Sequence, residues 1–161
     1  MQYNSTTQSI ITLLKENNID YHIFEHEPVT TSEEAAAVRE SFSVDQGLKA
    51  LIIKTYGKDQ GYAMIVLPGD QKFAQKKVEA ALGIDDFRLA DPEVIEDITD
   101  GVEIGGIPPL GSLFALQAFA DKQIEDMDEV VFNAGDRRVS ISISAEDYCT
   151  VEQPTVAGIV I

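Results

Sequence analysis

Residues 48–68 read LKALIIKTYGKDQGYAMIVLP, two apolar, β-branched and aromatic runs joined through a segment bounded by Gly57 and Gly61. Runs of this length and composition suit buried strands, and the two glycines suit the bend between them, so a β-hairpin is predicted in the core. EVVFNAG (129–135) and RVSISIS (138–144) repeat the arrangement as paired strands around a glycine-containing turn. A chain that commits two such pairs to sheet must build the rest of its fold around them.

The remaining segments alternate between helix and strand. Ile10, Leu13, Leu14 and Asn17 follow a Ser/Thr cluster at helical spacing, which predicts a helix over about 6–17. IDYHIFEHE (19–27) reads as strand. In TSEEAAAVRE, Thr31 and Glu34 have the spacing of a capping box, so an alanine-rich helix is expected to start there. Asp70 is placed to cap a helix reaching about Leu82, and Asp91-Pro92 puts proline at a first helical position, predicting a short helix over about 92–98. LFALQAFA (113–120) fits strand or helix equally. The apolar tail TVAGIVI packs as a final strand or covers a partner, and its shortness favours packing within the chain. The mixture is α+β with a largely antiparallel sheet. With 161 residues and 44% hydrophobic side chains, residues 1–161 suit a single compact domain.

Twenty-eight acidic against twelve basic residues give a formal charge of −16, which disfavours broad attachment to nucleic acid or anionic lipid. A polyanionic partner must then meet a local basic patch. Lys49, Lys54, Lys58, Lys72, Lys76, Lys77, Arg137 and Arg138 could form such a rim, while acids crowd elsewhere, as in IEDMDE. That run lacks the glycine and ligand spacing of a calcium loop and reads as a solvated face. One cysteine and two histidines provide neither a disulfide framework nor a conventional zinc site. The first residues carry no basic start followed by an apolar run, and no apolar stretch approaches the ~18–20 residues of a membrane span. These features predict a soluble, cytoplasmic protein with no DNA or membrane partner.

The segment GGIPPLG, residues 105–111, holds three glycines and two prolines in seven positions and suits neither helix nor central strand. Glycine lets a ligand approach main-chain N–H groups, and Pro108 and Pro109 stiffen the bend, so rigid donors for an oxyanion or carbonyl are one reading. A sharp connection between two elements is the other. There is no G-x-S-x-G elbow, no convincing Cys–His pair and no H-E-x-x-H motif, so covalent and metal-dependent hydrolysis lack a signature. Cys149 reads as a small apolar residue rather than a nucleophile.

Five blocks, EHEPVTTSEEAA, GLKALIIK, VLPGDQK with KKV and LADPE, GVEIGGIPPLG, and FNAGDRRVSI, lie in order across residues 25–141. In order and spacing they resemble the YbaK family, aminoacyl-tRNA deacylases related to the editing insertion of bacterial prolyl-tRNA synthetase. The resemblance implies a curved, mostly antiparallel but mixed sheet or barrel, flanked by helices and enclosing a pocket. It also implies hydrolysis of an aminoacyl ester at the 3′ end of a mischarged tRNA, with no cofactor and no metal.

By this resemblance Lys49 positions the tRNA 3′ end, although a lysine ahead of an apolar strand would ordinarily point outward. Gly105, Gly106, Ile107 and Pro108 match the catalytic glycine–proline loop, whose main chain orients water or stabilises developing negative charge. Pro109, His26, Thr30, Asn133, Gly135, Arg137 and Ser140 fall where the resemblance places substrate contacts. His26 equally serves to hold the following turn, and Thr31 to cap a helix. Arg137 and Arg138 either contact RNA or offset the acidic surface. Ser140-Ile141 departs from the cysteinyl-tRNA(Pro) branch, in which an acidic residue and isoleucine stand at this place. Cys-tRNA(Pro), Ala-tRNA(Pro) or the ester of another small amino acid is therefore the expected substrate. The acceptor end of tRNA is the expected partner, with an aminoacyl-tRNA synthetase as a possible second. The alternative is a non-catalytic module that binds tRNA or docks on a synthetase.

Overall fold

The computed structural model describes residues 2–28, 46–58 and 60–161. The expected hairpin is present: β2 (Leu48–Tyr56) pairs antiparallel with β3 (Gly61–Pro68), in register from Leu48 opposite Pro68 to Thr55 opposite Gly61. Six consecutive residues of β3, Ala63–Pro68, are buried. They read as a continuous apolar run because both faces of the strand are covered. Met64 and Val66 join a core with Ile10 and Leu14 of α1 (Ser5–Glu16), while Ile65 and Leu67 join a second core with Val78 of α2 (Gln75–Leu82) and Ile159 of the tail.

Two open sheets result, and among the described residues no barrel closes. One has the order β1-β7-β6, from β1 (His22–Glu25), β6 (Glu129–Asp136) and β7 (Val139–Ser144). The other has the order β4-β2-β3-β5-β8, adding β4 (Asp86–Leu89), β5 (Ala118–Asp121) and β8 (Thr155–Ala157). The pairings are antiparallel except for β3 with β5 and β5 with β8. Those two pairs are parallel because the chain returns to the sheet through long crossovers that contain helices, as parallel neighbours require. An isolated parallel bridge between Gly47 and Val131 joins the two sheets. The larger core lies between them, built from Ile52, Met64 and Val66 on one side and Phe132, Val139, Ile141 and Ile143 on the other.

Local signals fix the helices. Asn4 caps α1 by accepting the Thr7 N–H at 2.8 Å, and Ile10 and Leu14 form its buried stripe. Asn17 is not on that stripe; its side chain donates to the Leu13 carbonyl at the exposed end of the helix. Pro92 opens α3 (Pro92–Thr99) as expected. The helix predicted from Asp70 starts later, at Gln75, with Ala74 before it. Residues 72–74 are instead drawn into pairing with the tail: Ala74 N–H donates to Ile159, Ile161 N–H donates to Lys72, and Phe73 bridges Val160. The TVAGIVI segment thus packs within the chain, as β8 and this added pairing. The ambiguous 113–120 stretch divides between a 3-10 turn at Gly111–Phe114 and β5. The helix expected from Thr31 lies outside the described residues. No helix among the described residues is long and apolar enough to cross a membrane.

Candidate active site

The Gly105–Pro109 loop follows α3 and is held against the β6–β7 sheet by its carbonyl oxygens. It begins with a turn over residues 103–106, in which Gly106 N–H donates to the Glu103 carbonyl at 2.9 Å. Gly105, third in that turn, has φ of 95°, the conformation a type II turn demands at this position and only glycine adopts cheaply. The Gly105 carbonyl accepts from Asn133 Nδ2, the Gly106 carbonyl from Gly135 N–H at 2.8 Å, and the Pro109 carbonyl from the buried Tyr148 hydroxyl at 2.7 Å. Past the prolines, Glu152 accepts from Ser112 Oγ at 2.7 Å and from the N–H groups of Ser112 and Gly111. Burial pushes the Glu152 carboxyl up, and these donors draw it partly back.

With its carbonyls fixed, the loop's free donors are oriented. In a trans peptide the C=O and N–H point in opposite directions, and no peptide among the described residues is cis. Because Gly135 holds the Gly106 carbonyl, the Ile107 N–H of the same peptide unit is directed away from the β6–β7 turn. Among the described residues no acceptor takes the N–H of Ile107 or of Gly105. The expectation of a run of open donors needs one correction: the Gly106 N–H is consumed by Glu103, so Gly106 contributes a clamp rather than a donor. Pro108 and Pro109 are buried and serve as stiffeners, with the Pro109 carbonyl turned to Tyr148.

The β6–β7 hairpin supplies the clamp through a bulge. Register runs Asn133 opposite Ser140 and then Asp136 opposite Val139, leaving Ala134 and Gly135 outside the regular ladder. The irregularity releases the Gly135 N–H to reach the loop. It also turns the Ala134 and Gly135 carbonyls to α1, where Thr7 Oγ1 and Asn4 Nδ2 donate to them at 2.6 and 2.9 Å.

Four of the expected site residues meet on one face of this sheet. Val130, Phe132, Val139 and Ile141 point into the main core, so the alternate residues Asn133 and Ser140 point to the other face. There Ser140 Oγ lies 3.3 Å from Asn133 Oδ1 and 2.8 Å from His26 Nε2, while His26 Nδ1 lies 2.8 Å from the Glu27 carbonyl. The Gly47–Val131 bridge extends this face to β2: two residues beyond its partners, in the same direction, stand Lys49 and Asn133. Lys49 is half-buried and partnered, not an outward, solvated lysine. Thr30 lies outside the described residues.

The arginines lie elsewhere, at the hairpin tip. Arg137 pairs with Glu103 at 2.9 Å, bracing the start of the loop, and Arg138 pairs with Asp136 at 3.0 Å. Neither presents the unengaged cation that a dedicated RNA contact would use. Other members of the expected basic rim are also engaged within the chain: Lys76 by Glu79, Lys77 by the Val160 carbonyl, and Lys54 over the Tyr56 ring. The hydrogen bond from Arg138 holds the Asp136 carboxyl below its ordinary range, with burial opposing. A depressed folded-state value means that the pair's stabilisation is present above the unfolded aspartate value of about 3.9 and is lost as pH falls through the folded value. Asp136→Asn should therefore lower the melting temperature slightly at pH 7, with the difference from wild type closing in acid. A difference independent of pH in parallel melts would contradict this.

Sequence reasoning missed Glu103, Tyr148, Glu152, Asn4 and Thr7. Each acts across a long stretch of chain, and none carries a motif. Cys149 is half-buried and its thiol is pushed up by burial, which suits a packing residue rather than a nucleophile. A cavity of about 640 Å³ beside it, lined by Glu125, Asp128, Glu146 and Cys149 among others, contains none of the expected site residues.

Comparison with known proteins places this geometry in a family. The family described as "Aminoacyl-tRNA editing domain" matches residues 26–151. The chain is 30% identical over 155 residues to the multifunctional Ser/Thr-tRNA deacylase ProXp-y of Escherichia coli (strain K12), covering 95% of this chain and 92% of that protein. It is 23% identical over 137 residues to a protein of Enterococcus faecalis named as a candidate Cys-tRNA(Pro)/Cys-tRNA(Cys) deacylase, EbsC, covering 83% and 81%. A solved structure of a proposed trans-editing enzyme for prolyl tRNA synthetase superposes with a TM-score of 0.82 at 22% identity over 99% of both chains, a likeness of fold. The chain belongs to the aminoacyl-tRNA editing domain family, hydrolases of the ester that joins an amino acid to tRNA.

Proposed function

We propose that this protein acts in trans on mischarged tRNA in the cytoplasm and prefers seryl and threonyl esters. The observation that carries the catalytic part is the clamped Gly106–Ile107 peptide, whose carbonyl is held by Gly135. Its N–H is a fixed donor that need not reorganise as an ester carbonyl gains negative charge. Water adds to that carbonyl carbon, the oxyanion forms opposite the Ile107 N–H, and the carbon–oxygen bond to the ribose breaks. The ribose oxygen takes up a proton, leaving free amino acid and a 3′-terminal hydroxyl. Lys49, on the face shared with Asn133, holds the terminal phosphate or sugar oxygens in this reading. An aminoacyl ester is already activated, so positioning and charge stabilisation supply much of what the reaction needs.

Two observations support the amino-acid preference. The Escherichia coli relative, similar over nearly its whole length, is named for Ser- and Thr-tRNA. His26, Ser140 and Asn133 also form a polar wall beside the loop, which suits a substrate side chain carrying a hydroxyl better than an apolar one.

A panel of tRNAs charged with serine, threonine, alanine and cysteine tests the reading. Seryl and threonyl esters should be cleaved at least about tenfold faster than the others. Lys49→Ala should lower cleavage about a hundredfold. Faster cleavage of alanyl or cysteinyl esters would overturn the preference. No cleavage of any ester by pure wild-type protein would overturn catalysis and leave the non-catalytic module.

A further inference from the structure

We infer that Ser140 is a positioning residue, whose single hydroxyl proton is shared between His26 and Asn133 so that imidazole protonation sets how firmly Asn133 grips the loop. The argument is a count of protons. The Glu27 carbonyl accepts only, so His26 Nδ1, 2.8 Å away, carries a hydrogen in either charge state. A neutral His26 then offers Nε2 to Ser140 Oγ, at 2.8 Å, as an acceptor. At the far end the Gly105 carbonyl also accepts only, so Asn133 turns its amide nitrogen to the loop and its Oδ1 toward Ser140. Ser140 thus stands between two acceptors, at 2.8 and 3.3 Å. A serine hydroxyl has one proton, whatever else surrounds it.

With His26 neutral, that proton goes to the nearer acceptor, His26 Nε2. With His26 charged, Nε2 becomes a donor to Ser140 Oγ and the hydroxyl turns to Asn133 Oδ1. An amide that accepts at its oxygen donates more strongly from its nitrogen, so the bond to the Gly105 carbonyl tightens. The charged groups around His26 among the described residues are few. Glu25 and Glu27 adjoin it in sequence, with Glu25 accepting from the Tyr3 hydroxyl. Arg138, paired with Asp136, takes the His26 N–H on its carbonyl. No carboxylate or second base is hydrogen-bonded to the ring, so the proton that moves is the one counted above.

The role in hydrolysis rests on the deacylase reading, but the network itself is testable without substrate. In a histidine-labelled sample, nitrogen NMR should find neutral His26 as the Nδ1–H tautomer, the less common form in solution. The Gly106 amide should shift with the His26 titration in wild type and stay flat in Ser140→Ala and His26→Gln. An Nε2–H tautomer, or a Gly106 titration unchanged in Ser140→Ala, would overturn the proposal whether or not the protein cleaves tRNA esters. In the deacylation assay, kcat of wild type should exceed that of Ser140→Ala about fivefold on the acid side of pH 5–8, converging at the alkaline end with KM little changed. A ratio constant with pH would reduce Ser140 to a packing role. Absence of activity in both proteins with the NMR signatures intact would count against the deacylase reading and not against the network.

Discussion

Gly135→Ala should destabilise the protein by about 3 kcal/mol or more, a fall in melting temperature of about 6–12 °C for a chain of this size. Two costs coincide at this residue. Its φ is 85°, where an L side chain is strained, and an added Cβ would stand 2.6 Å from Thr6 Cγ2 and 2.8 Å from Thr6 Cβ. Thr6 cannot move aside cheaply, because its neighbours Asn4 and Thr7 tie α1 to the Gly135 and Ala134 carbonyls. The substitution should also weaken the Gly135 N–H clamp on Gly106, so ester cleavage should fall even below the melting range. A melting temperature within about 1 °C of wild type would show that the bulge is not the strained junction described here.

What was legible in the sequence was what local pattern dictates. The hairpin of β2 and β3 was readable because two strand-type runs flank glycines, and α3 because Pro92 fits the first turn of a helix and little else. The late start of α2 was not readable: Asp70 has the chemistry of a cap, and only the distant tail pairing with residues 72–74 overrides it. The parallel pairings of β5 were hidden for the same reason, since its partners β3 and β8 are reached only through intervening elements.

The candidate site divides in the same way. Gly105–Pro109 announced an exposed, stiff main chain through composition. Which of its groups remained open depended on Asn133, Gly135 and Tyr148, which lie between 28 and 39 residues away along the chain from the carbonyls Asn133 and Tyr148 hold. The expectation for Arg137 and Arg138 failed through charge: in an acidic chain, Glu103 and Asp136 were close enough to claim them.

The second large effect belongs to a single atom pair. Replacing the Gly106–Ile107 amide by an ester removes the Ile107 N–H and keeps its side chain. If that N–H receives the developing oxyanion, kcat for seryl-tRNA hydrolysis should fall about 10²–10³-fold, as loss of an oxyanion donor does elsewhere. An ester carbonyl is also a weaker acceptor for Gly135, so the matching control places the ester at Ala134–Gly135, removing the Gly135 N–H and sparing Ile107. Single-turnover hydrolysis by these two semisynthetic proteins and wild type is the most direct measurement. The account predicts a loss of about 10²–10³-fold at Ile107 and at most about tenfold in the control; a rate near wild type at Ile107, or equal losses in both, would contradict it.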